Sequence, residues 1–305
     1  MHLHPRFSLG SWAFSFGPFA QAPWSFDRFL RFAADAGYDG VEINGFRPHP
    51  HPDDYDTPAK CRGLRQALDD MGLGISGYAP QFTDDPSEIA DREAYLATVA
   101  KCLRFCESVG IDTLRVDTVA PPVAYDPDTY QRHFDHLCGT WQQAASMCRD
   151  AGVKLVWEFE PGFWLNKPSE VLAVVDTVDH PGFGVLFDTS HAYMCAVAGA
   201  RQMGEREVLP GGVAAFGTML SGRIGHVHFI DSDGTLHDDE TSTHAPFGTG
   251  HIDFKEVILA IEADLSPLTW WCFDFCFCPT TETDARKAIP YMRRCLEQIA
   301  EAREP

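Results

Sequence analysis

Four residues able to bind a divalent cation, Glu158, Asp188, His228 and Asp274, each stand at or beside the end of a strand-like run: VKLVWEF, FGVLFD, IGHVHF and WWCFDF. They follow one another at 30, 40 and 46 positions, spacings that fit one strand plus one helix each. Residues two apart on a strand point to one side. Val156, Glu158 and Glu160 therefore share a face, as do Gly184, Leu186 and Asp188, His226 and His228, and Cys272 and Asp274. Three carboxylates and an imidazole meeting at one point would suit Mn²⁺, Mg²⁺, Co²⁺ or Zn²⁺, with manganese the first expectation. Glu158 is expected as the ligand in preference to Glu160, which lies one step further out and is placed to bind substrate or orient a ligand. His226, deeper on its strand, is expected to pack or to support a ligand.

Bringing four such groups together takes a repeated strand-and-helix unit, and the chain supplies eight. Strands are expected over Phe7 to Trp12, Gly40 to Asn44, Gly74 to Tyr78, Thr113 to Asp117, Lys154 to Phe159, Phe183 to Asp188, Gly225 to Phe229 and Thr269 to Phe275. Amphipathic stretches lie between them, from SFDRFLRFAADAG to DFKEVILAIEADL, and DARKAIPYMRRCLEQIAEA closes the series. Several end in Asp-Ala-Gly or a similar glycine, a residue that accepts the left-handed C-cap. Eight alternations predict a single α/β domain over 1–305, a closed (β/α)8 TIM barrel with a long segment after the sixth strand at about 192–212. An open doubly wound sheet would show a phosphate-binding glycine turn after strand one, where GSWAFSFG stands instead. In a barrel the C-terminal strand ends form the mouth, so the four candidate ligands would converge there.

The chain has 305 residues, 45% hydrophobic and 22% charged, enough for a buried core without disulfides. The 44 acidic against 24 basic residues give a formal net charge of −20, which argues against nucleic acid as a partner. No apolar run of membrane-spanning length and no signal-like N-terminus is seen, so a soluble, cytoplasmic protein with no membrane partner is expected. The ten cysteines are scattered; Cys272, Cys276 and Cys278 have no matching second cluster, and all are expected as reduced thiols.

The segments GVKLVWEFEP, GVLFDTSHAY, HVHFID and HAPFGTGHIDF resemble the xylose isomerase-like barrel superfamily of sugar phosphate isomerases and epimerases, inosose dehydratase-like enzymes and apurinic endonucleases, including its C-glycoside deglycosidase branch. The resemblance spans nearly the whole chain. It implies one divalent metal on Glu158, Asp188, His228 and a strand-eight acid, with His191 of the DxxH motif touching substrate. Where the resemblance implies a strand-eight glutamate the chain has Asp274, one methylene shorter, so either the metal lies closer to that strand or water completes the shell. Of the further ligands that the endonuclease branch needs, only His191 and His244 match; Ser242 stands in place of an aspartate and Gly77-Tyr78 in place of a histidine.

Chemistry follows from this set. A metal that chelates a sugar carbonyl and its neighbouring hydroxyl eases removal of the adjacent proton. Glu158 is the expected base, and Asp274 or His191 would return the proton. Return to another carbon or face makes an isomerase or epimerase; departure of a β leaving group makes a lyase acting on a 3-keto-glycoside or an inosose. A non-catalytic sugar-binding barrel is the alternative outside enzymology. Trp12, Glu160, Arg115, His191 and His244 are expected to contact a free sugar or glycoside. Trp12, Phe14, Phe16, Trp24, Tyr78, Trp157, Phe163 and Trp164 offer an aromatic mouth, though most such rings pack in cores. Arg115 and Asp117 share a face, for substrate or for each other, and Lys167 is expected at a helix start. A homo-oligomer is expected, with a small second subunit as the partner that the lyase branch implies.

Overall fold

A computed structural model describes residues 3–303; the ends of the 1–305 range, 1–2 and 304–305, lie outside the described residues. The barrel strands are β1 (Arg6–Gly10), β2 (Gly40–Asn44), β3 (Gly74–Ala79), β4 (Thr113–Val116), β5 (Lys154–Glu158), β6 (Phe183–Asp188), β7 (Ile224–Phe229) and, after a hairpin of β8 (Asp231–His237) and β9 (Thr241–Ala245), β10 (Trp270–Phe273). They close in the order β1-β10-β7-β6-β5-β4-β3-β2, all parallel, with β1 joined to β10 through pairs such as Phe7 with Trp271 and Leu9 with Phe273. The helices are α1 (Phe26–Asp35), α2 (Pro58–Asp69), α3 (Arg92–Val109), α4 (Pro127–Asp150), α5 (Pro168–Val178), α6 (Thr189–Tyr193), α7 (Gly212–Met219), α8 (Phe254–Ala260), α9 (Glu262–Leu265) and α10 (Thr281–Glu301). The eight expected strands are all present, their ends within two residues of expectation. Among the described residues no helix is long and apolar enough to cross a membrane, and all ten cysteines are free thiols.

Strand alternation separates two environments. Phe7, Leu9, Val41, Ile43, Trp157, Phe187, Val227 and Trp271 face the helices and join one continuous apolar layer. Ser8, Glu42, Glu158, Asp188, His226, His228 and Cys272 take the alternate positions and are buried too, so the inside of the barrel is polar. Helix ends follow local rules: the side chains of Ser25, Thr57, Asp126 and Asp253 cap α1, α2, α4 and α8.

Three features depart from expectation. The hairpin β8–β9 was not anticipated, because SDGTLHDDETST lacks the apolar alternation of a buried strand. Its turn crosses the mouth: Thr241 donates to Glu160, Arg201 Nη1 donates to Glu240 O at 2.9 Å, and His237 stacks on Phe277 at 4.2 Å. The segment expected as a long loop at 192–212 begins helically, since α6 runs into a π turn over Met194–Ala198 that ends at Gly199. The single helix expected at DFKEVILAIEADL is split into α8 and α9 at Ile261.

Asp231 anchors the hairpin. Its Oδ1 accepts from Ser232 N (2.9 Å) and Ile252 N (3.1 Å), and its Oδ2 from Gly248 N and Gly250 N (both 2.9 Å). A methyl group at position 250 would overlap Asp231 Oδ1 and Ser232 O, which is why glycine stands there in GTGHIDF.

His49 ties the β2–α2 segment to β1. One ring nitrogen meets Ser11 Oγ at 3.1 Å and the other meets Trp24 O at 3.1 Å, a pattern that suits a neutral ring. Burial pushes its pKa down to about 4, against the pull of the Trp24 carbonyl. On acidification the unfolded chain takes up this proton first, so the contribution is whole above the ordinary histidine range and is lost as pH falls from about 6.5 towards 4. It amounts to about 3 kcal/mol. Urea unfolding of wild type and His49→Gln should show the two curves converging across that window; parallel curves would refute the assignment.

Candidate active site and metal centre

At the C-terminal mouth lies a cavity of about 530 Å³. Glu158 at the end of β5, Asp188 at the end of β6, His228 on β7 and Asp274 just past β10 bring one donor atom each within 4.8 Å of one another; of the four, Glu158 and Asp274 line the cavity. All four are buried. The register explains the meeting, because Glu158 pairs with Leu186, Asp188 with His228, and His228 with Cys272. The four residues expected as ligands are thus brought together. Glu160 lines the cavity outside this group, and His226 sits beneath it.

His228 Nδ1 lies 2.8 Å from Glu158 Oε1 and 3.8 Å from Asp274 Oδ2. Burial opposes protonation of this ring, but Glu42 and Glu158 more than offset it and hold its pKa well above the usual value. Burial likewise opposes the charge of Glu158, yet Arg115 and His228 hold its carboxyl down at about 2; Arg115 Nε is 2.7 Å from Glu158 Oε2. Asp188 differs. Its Oδ1 accepts from His191 N at 2.8 Å, capping α6, whereas its Oδ2 is buried with no hydrogen-bond partner. Burial, with the charges of Asp274 and Glu158 beside it, pushes this carboxyl up to about 7. A buried carboxylate oxygen without a donor, facing two more carboxylates and an imidazole, is a site short of positive charge, and a hard divalent cation fits it.

Asp274 Oδ1 accepts from Trp12 Nε1 at 2.6 Å and from Cys276 N at 2.7 Å, with His244 Nδ1 at 3.2 Å. Its Oδ2 is left towards the other donors, so this shorter side chain offers the cluster a single oxygen. Burial works against charge on both partners, yet their attraction keeps Asp274 well below the usual carboxylate range and His244 up at about 9. Burial pushes His191 down to about 3, and its Nδ1 meets Ser242 Oγ at 2.8 Å. It is a neutral imidazole on the cavity wall.

Arg115 pairs with Glu158 and also with Asp117, at 3.1 Å, so the expected Arg-Asp pair forms while both residues line the cavity. Glu160 accepts from Thr241, and burial pushes its carboxyl up to about 7. Trp12, Phe16 and Phe163 line the cavity as expected, joined by Phe46, Phe82 and Phe277, which were not singled out. Phe14, Trp24, Tyr78, Trp157 and Trp164 do not line it. Phe14 stacks on Trp24, Tyr78 meets Phe105, Trp157 meets Trp141, and Trp164 meets Tyr125 and Tyr130. Lys167 starts α5 away from the cavity. A residue absent from the sequence reading is Glu42 on β2, within reach of both His226 and His228; a lone acid inside the apolar run GVEIN, on the face of Gly40 and Asn44, was the available signal.

The family model described as xylose isomerase-like TIM barrel matches residues 30–296. An inosose dehydratase of Bacillus velezensis is 24% identical over 205 residues, 65% of this chain and 59% of that protein; the match spans less than two thirds of that relative's length. A D-tagatose 3-epimerase-like protein of known structure superimposes with a TM-score of 0.73 at 20% identity, covering 97% of this chain and 99% of that one. An L-ribulose 3-epimerase does so with 0.71 at 17% identity, over 99% and 100%. At these identities the structural likeness is one of fold.

Proposed function

The chain belongs to the xylose isomerase-like TIM-barrel family, and on that premise we propose that it is a divalent-metal-dependent sugar isomerase or epimerase, removing a proton from the carbon beside a carbonyl. The observation that carries this reading is the four-donor cluster, in which Asp188 has an oxygen buried without a hydrogen-bond partner. Glu158, Asp188, His228 and Asp274 would hold the ion, manganese first. When bound, it supplies Lewis acidity to the substrate carbonyl.

The rest falls to the protein's own groups. Glu158, kept ionised by Arg115, accepts the proton; Asp274, supplied from the protonated His244 at 3.2 Å, gives one back, while the neutral His191 holds a substrate oxygen. Return to the neighbouring carbon is isomerisation, and return to the opposite face of the same carbon is epimerisation. Trp12, Arg115, Glu160 and His244 orient the sugar hydroxyls, with the buried and unpartnered His244 Nε2 directed to substrate. The test is turnover of Mn²⁺-loaded protein on free ketoses, inososes and 3-keto-glycosides in D₂O, followed by NMR. Deuterium entering the sugar carbon is expected; no exchange and no product on any of them would overturn the reading.

A second reading is favoured by the rim of Phe16, Phe46, Phe82, Phe163 and Phe277 above the acidic floor. On a keto-glycoside, the electron pair left by the departing proton would expel the aglycone as its bond to the sugar breaks, leaving an unsaturated ketone. An aromatic aglycone would lie on the rim. Phe163→Ala or Phe277→Ala should then raise KM for an aryl keto-glycoside roughly fivefold, the equivalent of about 1 kcal/mol of ring contact, with free-ketose kinetics unchanged. Equal effects on both substrates would count against aglycone stacking.

A further inference from the structure

Glu42 lies on β2, across the barrel from β7, with 1% of its surface exposed. Both of its oxygens are engaged. Oε1 is 3.2 Å from His228 Nε2, and Oε2 is 2.7 Å from His226 Nε2; Ser76 Oγ donates to Oε2 at 3.3 Å. The space is made by Gly77, where a Cβ would stand 3.2 Å from Glu42 Cδ. His228 therefore turns Nε2 to Glu42 and Nδ1 to Glu158 and Asp274.

An imidazole ligand offers a metal a lone pair on one nitrogen while the other carries the proton. We propose that Glu42 is a positioning residue which, itself braced by His226, accepts the Nε2 proton of His228 and so fixes the ring with the Nδ1 lone pair aimed into the four-donor cluster. This rests on the metal-site reading above and adds to it a residue that touches neither ion nor substrate. In Glu42→Gln the amide group can donate to Nε2, which permits the opposite tautomer, with the proton on Nδ1 and the lone pair turned away from the cluster. Glu42→Leu leaves Nε2 without an acceptor.

The test is the binding of Mn²⁺ by calorimetry and of Co²⁺ by its visible spectrum, with ¹⁵N chemical shifts of the His228 ring recorded on protein loaded with diamagnetic Zn²⁺. Wild type should bind ion and show the proton on Nε2. Glu42→Gln and Glu42→Leu should bind roughly 10–100-fold more weakly, with an altered Co²⁺ spectrum and a changed tautomer. Glu42→Asp should recover part of the loss. If either variant fails to fold, Glu42→Asp and His226→Asn, which removes the brace, carry the same measurements. Folded variants that match wild type within twofold would overturn this inference and leave the metal site standing. A wild type that binds neither ion would overturn both.

Discussion

Asp188→Asn and Glu158→Gln are both expected to remove turnover, and excess metal should tell them apart. Asp188 brings to the cluster a carboxylate whose Oδ2 is buried without a donor, and whose Oδ1 accepts from the His191 amide. Replacing it with an amide removes a negative charge from the ligand set and puts a pair of N–H donors where a cation would sit. Metal affinity should fall by more than the roughly 10–100-fold that loss of an outer-shell partner costs, and activity should return in part as Mn²⁺ is raised. Glu158→Gln removes a ligand and the proton acceptor together. Its rate should fall by roughly 10⁴, the upper end for a general base, and saturating metal should not restore it. Full recovery of Glu158→Gln at high Mn²⁺ would sink its assignment as base. Undiminished metal binding by Asp188→Asn would sink the cluster itself.

The second large effect is one of stability. Asp231→Ala strips the acceptor from four backbone N–H groups at once, those of Ser232, Gly248, Gly250 and Ile252. The buried Ser232 and Ile252 N–H groups would be left without a partner, at about 1–3 kcal/mol apiece, and the part-buried N–H groups of Gly248 and Gly250 would exchange theirs for water. Because such losses are not additive within one network, about 4 kcal/mol or more is the expected total, a large fraction of the stability of a domain. Asp231→Asn keeps one acceptor and should fall between. Gly250→Ala, with its methyl forced against the same carboxylate, should destabilise by a comparable amount. Urea midpoints measure all three. A loss below about 1 kcal/mol for Asp231→Ala would show that the turn is held by other means.

The eight strands and the four cluster residues were legible because both depend on local order. A barrel strand writes its alternation into five or six consecutive residues, and the mouth lies at a fixed end of each strand. What was hidden depends on contacts across the molecule. Glu42 gains its meaning from β7, whose residues His226 and His228 lie 184 and 186 positions further along, and no motif joins them. The hairpin is held by loops after β5, β6 and β10, and its own residues are too polar to declare a strand. Of the eight aromatic rings, the five that pack away from the cavity are indistinguishable by type from the three that line it. Which side a ring takes is set by strand parity and by loop path, and the loop path is settled only when the loops meet.

Trp12 and Asp274 are 262 positions apart, and the strands leading to them, β1 and β10, form the seam at which the sheet closes into a cylinder. Bringing together chain segments so distant is the slowest kind of contact to form. A partly folded chain could already have Glu158, Asp188 and His228 on three neighbouring strands, but the fourth donor is oriented only once the N-terminal strand has docked beside the last one. Such an intermediate would hold cations loosely and do no chemistry. During refolding, catalytic competence should therefore lag behind the recovery of helical signal, and its appearance would mark the moment the cylinder shuts.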